Sequence, residues 1–103
     1  MRKFISALPT KKVSFMDGEI EIRKLSAGSV KRIGKVSQNL DTSKDEDSLV
    51  ILQAILAEGV VLEEGEEPIT TDILEEFPLD SLSSLSNDIM VYAGVVDNQG
   101  NAG

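Results

Sequence analysis

The chain has 103 residues, 41% hydrophobic and 27% charged, with a net charge of −8, 4% aromatic content and no Cys, His or Trp. That length holds one core of ordinary domain size rather than two, and with so few rings the core must be mostly aliphatic. Without Cys and His there is no disulfide framework, no thiolate chemistry, no Ser-His-Asp or Cys-His nucleophile and none of the usual zinc sites, so the sequence points to binding rather than catalysis, with no cofactor.

Residues 1–10 carry Arg2, Lys3, Phe4 and Ile5 and read as a flexible arm, in which Pro9 and the following Lys11-Lys12 interrupt any signal-peptide run. From Lys11 to Lys24 apolar Val13, Phe15, Ile20 and Ile22 alternate with polar residues on either side of Asp17-Gly18. This predicts a hairpin over 11–24 whose two-residue Asp17-Gly18 turn opposes Phe15 to Ile20 and Val13 to Ile22, all on one face.

Ser26 is the expected N-cap of a first helix near 27–40, with Val30, Ile33, Val36 and Leu40 in a stripe opposite Lys31, Arg32 and Lys35. Gly28 and Gly34 each lower its helicity by about 1 kcal/mol relative to Ala, so it needs tertiary contacts. After a polar loop, Asp45 or Asp47 caps a second helix near 47–62, in which the run from Leu49 to Leu62 leaves almost no polar face. That run is shorter than the roughly 20 residues a bilayer requires. It must be covered on most sides, by the other helices and, beyond them, by self-association or a partner.

Glu63-Glu64-Gly65-Glu66-Glu67-Pro68 reads as an acidic loop. A third helix near 72–77 starts at Thr71 or Asp72, with Glu75 placed for a capping box, and stops at Pro78. Asp80 caps a fourth near 81–93, with Leu82, Leu85, Ile89 and Tyr92 on one face and Ser81, Ser83, Ser84, Ser86 and Asn87 on the other, ending near Gly94. The polar stretch 95–103 reads as a disordered tail. The expected fold is α+β and mostly helical: a hairpin and about four helices in one domain, 11–94.

Charge is divided along this order. Through Lys44 there are ten bases and four acids, and from Asp45 onward fourteen acids and no base. Such a division favours head-to-tail attraction between copies or a basic partner, weakening in salt, although solubility and chance clustering explain it equally well.

Other chemistries fail on spacing. In Asp41-Thr42-Ser43-Lys44-Asp45-Glu46-Asp47, Glu46 stands where a calcium loop needs its turn glycine and Leu52 where it needs a bidentate Glu. No glycine pattern cradles phosphate, and Glu63-Glu64 and Glu75-Glu76 have nothing nearby to separate their pKa values. The cations are accompanied only by Phe4 and Phe15 in an acidic molecule, which argues against nucleic acid.

Two family resemblances remain. Asp47-Ser48-Leu49 and Asp80-Ser81-Leu82 resemble the attachment triplet of acyl carrier proteins, which implies phosphopantetheine on Ser48 or Ser81; an N-terminal hairpin is foreign to that family, and Asp-Ser is an ordinary helix start. Over roughly residues 10 to 95, the layout resembles the tail assembly chaperones of long-tailed bacteriophages. The resemblance is carried by Lys11-Lys12-Val13-Ser14-Phe15, Glu19-Ile20-Glu21-Ile22-Arg23-Lys24-Leu25-Ser26, the amphipathic helix, the apolar helix Leu49 to Leu62, the acidic turn, and a last helix with Leu79, Leu82, Leu85 and Ile89 closing on Ala93-Gly94-Val95.

This second resemblance implies a non-catalytic protein that binds and solubilises the tape measure protein in the host bacterial cytoplasm, gives way to the tail tube protein and is absent from the mature virion. It also implies a homo-oligomer and a frameshift-extended form whose junction lies in Val95 to Gly103. In that setting Leu52, Ile55, Leu56, Leu85 and Ile89 are the expected client-binding residues, each with plain core as its ordinary role. Lys12, Arg23, Lys31, Arg32 and Lys35 are the expected self-association residues. The alternative is a generic acidic interaction module, an antitoxin or adaptor.

Overall fold

The computed structural model describes residues 8–41 and 43–95. They form strands β1 (Thr10–Phe15) and β2 (Gly18–Arg23) and helices α1 (Ala27–Gln38), α2 (Asp45–Gly59), α3 (Thr71–Leu74) and α4 (Leu79–Ala93). The architecture is the expected one, an antiparallel hairpin followed by four helices. Most of the expected arm (1–7) and tail (96–103) lies outside the described residues.

The hairpin register differs from expectation by two residues. Val13 pairs with Ile20 and Phe15 with Gly18, so the turn is Met16-Asp17 rather than Asp17-Gly18. A two-residue slip preserves the faces, and Val13, Phe15, Ile20 and Ile22 still point inward. What outweighs the turn preference is the pairing on the far side of β2, where Ile22 bridges Val60 and the Val61 N–H donates to the Glu21 carbonyl at 3.0 Å. Met16 accordingly sits at φ 54°, a region that costs an L-residue about 1–2 kcal/mol.

Helix ends follow from caps and packing. Ser26 caps α1 as expected, its side chain accepting from the Ser29 N–H. Thr70, rather than Thr71 or Asp72, caps α3 by accepting from the Ile73 N–H. Helix α4 begins two residues early, with Pro78 at the N-cap and no side-chain cap, so Asp80, the expected cap, lies in the first turn instead. Gly94 closes that helix at φ 82°, with the Val95 N–H reaching back to the Met90 carbonyl at 3.1 Å, the hydrogen bond of a Schellman stop. Ser86, expected on the polar face, is buried and donates its hydroxyl to the Ser83 carbonyl at 2.9 Å.

Helix α2 is the centre of the fold and packs against α1, α3 and α4, while both strands pack on α4. Its N-cap is Lys44, with no side-chain hydrogen bond. The candidate cap Asp47 instead accepts from the Asp41 N–H at 2.8 Å, outside the helix. Leu52, Ile55, Leu56 and Val60 are buried together with Leu82, Leu85 and Ile89 of α4, Ile22 of β2, Leu25, Ile33 of α1 and Leu74 of α3. Among the described residues no helix is long and apolar enough to cross a membrane.

The expected continuation of α2 to Leu62 does not occur. The helix stops at Gly59, and Val60 turns extended at φ −89° and ψ 132°, which sends Val60 and Val61 to the edge of β2. Gly59 is required by proximity, since a Cβ there would lie 2.5 Å from Ile89 Cγ2. Overpacking of about 1–3 kcal/mol exceeds the gain of up to about 1 kcal/mol that Ala brings to a helix, so Gly59→Ala destabilises the fold. Ile89→Ala should cost measurably less in the Gly59→Ala background than in the wild type. Denaturant unfolding of the four chains measures this, and an equal cost in both backgrounds contradicts the close approach.

Candidate binding groove

The five aliphatic residues expected to grip a client are all core. Leu52 is 9% exposed, Ile55 8%, Leu56 1%, Leu85 3% and Ile89 0%, so folded α2 and α4 present almost none of their surface. Leu56 and Leu85 nonetheless contribute to the floor of an open apolar groove of about 250 Å³. One wall is the inner face of the hairpin, Phe15 and Ile20; the other is Leu62, Ile69, Ile73 and Phe77 from the segments around α3, with Glu66 and Glu67 at the rim.

Local hydrogen bonds set this shape. The Glu63 N–H donates to the Glu66 carboxylate at 2.8 Å and the Glu66 N–H returns to the Glu63 carbonyl at 3.0 Å, while Gly65 takes φ 85° to close the turn. The acidic loop is therefore a tight turn that fixes Glu66 beside the groove. Gln53 Nε2 of α2 donates to the Ile69 carbonyl at 2.9 Å and holds the chain entering α3. Phe15 and Phe77 meet across the groove end with ring centroids 5.8 Å apart and planes tilted by 56°, a favourable edge-on arrangement.

A second, polar depression adjoins the groove and shares Ile20, Val60, Leu62 and Glu66 with it. Its remaining lining includes Glu19, Glu21 and Glu63, with Lys12 as a cation among them. Lys12 and Glu21 are cross-strand partners. The expected self-association residue Lys12 is thus already placed among carboxylates.

Arg32 is also engaged. Its Nε and Nη2 donate to the two Glu58 carboxylate oxygens at 2.9 Å each, tying α1 to α2, and Nη2 lies 3.3 Å from the Ser29 hydroxyl. The hydrogen bond from Arg32 holds the Glu58 carboxyl below its ordinary value, with smaller help from the Ser29 hydrogen bond and the Arg23 charge against the opposing effect of burial. Arg23, Lys31 and Lys35 are exposed. Lys11, which faces Ile22 at the open end of the hairpin, lies with its ammonium 4.9 Å from the Tyr92 ring centroid, and Lys24 lies at 5.7 Å. These cation–π contacts fasten the hairpin to the last turn of α4.

Ser48 is half-buried in the first turn of α2, and Ser81 is half-buried in α4 beside Phe15 and Met16. Among the described residues no group of three or more carboxylates is arranged to hold a metal.

Ile69, Ile73 and Phe77 were not singled out from the sequence, although they recur at a spacing of four that marks one helical face, and Leu62 entered only as the end of the apolar run from Leu49. No protein-family model, curated protein or solved structure matches the chain.

The Arg32–Glu58 pair gives a pH test. Because the folded-state pKa of Glu58 is depressed, its contribution is present in full above the unfolded value and is lost as pH falls through the folded one. The stability difference between wild type and Glu58→Gln should therefore be largest near neutral pH and shrink below about pH 4. Chemical unfolding across that range measures it, and a difference that grows on acidification contradicts the assignment.

Proposed function

We propose that the protein is a non-catalytic binding protein of the tail assembly chaperone type, holding an aggregation-prone, helix-rich client, the tape measure protein, in solution in the cytoplasm of an infected bacterium until the tail tube protein displaces it. The layout of hairpin, amphipathic helix, apolar helix and acidic turn supports this reading. The observation that carries it is the solvent-open apolar groove with a carboxylate rim. At about 250 Å³ it is smaller than the roughly 300–1,000 Å³ pockets that enclose small molecules, and it suits one or two side chains of a larger partner. Self-association as a homo-oligomer, and a place outside the mature virion, belong to the same reading.

In this proposal the gripping surface moves from the buried faces of α2 and α4 to Leu62, Ile69, Ile73 and Phe77. Contact between copies falls to exposed Arg23, Lys31 and Lys35, with Arg32 already paired to Glu58 within the protomer and Lys12 at the edge of the polar depression.

Co-expression with a long helical protein encoded beside the gene for this chain tests the reading. The client should move from the insoluble to the soluble fraction and co-elute with the chain. A client that stays insoluble and forms no complex contradicts it. A mass increase on Ser48 or Ser81 after co-expression with a phosphopantetheinyl transferase assigns a carrier instead.

A further inference from the structure

We propose that the apolar groove and the acidic depression beside it are one two-part seat for a cationic amphipathic helix, which buries an apolar side chain in the groove and sets Lys or Arg, one turn away, among the carboxylates. The proposal rests on the binding-protein reading and names the surface and the client chemistry within it. The two hollows share a wall built from Ile20, Val60, Leu62 and Glu66, so an occupant of one lies against the other. Among the described residues, Glu19, Glu21, Glu63 and Glu66 line the second hollow with Lys12 as the cation, an excess of negative charge that an apolar client does not satisfy.

The carboxylates do not converge as metal ligands do. A spread of carboxylates around a hydrophobic floor matches cations distributed along a polypeptide, and potentials of opposite sign steer such a partner in and fix its register.

At Glu21 and Ile22, β2 pairs with β1 on one side and with Val60 and Val61 on the other, so where β2 borders the acidic hollow its edge is already taken and a strand does not lengthen the sheet there. An occupant brings its own backbone hydrogen bonds, as a helix laid in a groove does. Lys12 holds the place that a client cation would take. Its removal should strengthen binding rather than weaken it.

The test is fluorescence anisotropy with a labelled Leu/Lys amphipathic helix, a Gln/Lys peptide of the same charge and a Leu/Glu helix. The Leu/Lys helix should bind the wild type at least about tenfold more tightly than either control, with affinity falling as salt rises. Glu66→Gln/Glu67→Gln and Leu62→Gln, all at exposed positions, should each weaken it by about tenfold, and Lys12→Gln should tighten it several-fold. Glu46→Gln/Glu75→Gln, which removes the same charge at a separate depression beside Leu49 and Val50, should leave it unchanged; circular dichroism confirms that each variant is folded.

Equal binding of Leu/Lys and Gln/Lys peptides overturns the proposal, as does equal weakening by the two double variants. If the groove variants instead reduce oligomer mass with peptide binding unchanged, the groove is a seat between copies and the proposal fails. The long helical client separates the two readings. A complex that forms and is indifferent to Glu66→Gln/Glu67→Gln retains the binding function and removes this seat, whereas peptide binding without client binding does the reverse.

Discussion

The fold hangs on the close approach at the end of α2. Gly59 lets the backbone of that helix come against Ile89 of α4, nearer than any side-chain-bearing residue allows. The chain then leaves the helix in extended form, so Val60 enters the core and bridges Ile22 while Val61 donates to Glu21. A two-stranded hairpin alone is marginal in water, and this one is secured on three sides. Val60 and Val61 hold its β2 edge, Phe77 packs on Phe15 near the turn, and Tyr92 lies under Lys11 and Lys24 at the open end. The groove is a by-product of the same geometry. With Leu62 stepping out of the core just after Val61, and the tight Glu63–Glu66 turn leading to α3, apolar surface is left open between the hairpin and α3.

Charge behaves differently in space than along the chain. The sequence divides into a basic portion and an acidic one with no base, which suggests a molecule with two poles. Folding brings the portions together: Lys12 lines a hollow with Glu19, Glu21, Glu63 and Glu66, and Glu58 is gripped by Arg32 and feels Arg23. Part of the apparent polarity is therefore spent inside the protomer. What persists is local, a carboxylate-rich rim at the groove and exposed cations on α1, and this favours docking of one segment over long-range alignment of whole molecules.

Elements with a clear period were legible in the sequence. Alternation from Val13 to Ile22 gave the hairpin faces, Ser26 gave the start of α1 and Gly94 the end of α4. Legibility ended where one apolar run served several purposes. Val60, Val61 and Leu62 continue the hydrophobicity of α2 without a break, yet one is core, one pairs with a strand and one lines the groove; periodicity does not distinguish these uses in a short run. Turn chemistry at Asp17-Gly18 was overridden by tertiary pairing of β2. The groove was hidden because its walls come from Phe15, Ile20, Leu62, Ile69, Ile73 and Phe77, residues of separate segments brought together by the pairing of Val60 and Val61 with β2, the turn around Gly65 and the Gln53–Ile69 hydrogen bond. Hydrophobicity also marks what prefers burial, not which apolar residues stay open. The most apolar helix was for that reason the natural choice for a gripping surface, and burial in the core is what its composition serves.

The central claim is that a client meets the groove and leaves the α2–α4 interface closed. Methyl NMR of Ile, Leu and Val labelled protein, with and without a helical client, tests it most directly. The account expects the largest shifts at Ile20, Leu62, Ile69 and Ile73, with Leu52 and Ile55 unchanged. Shifts confined to Leu52, Ile55 and Ile89, with Leu62 and Ile73 unmoved, would show that the client opens the core and would contradict the account.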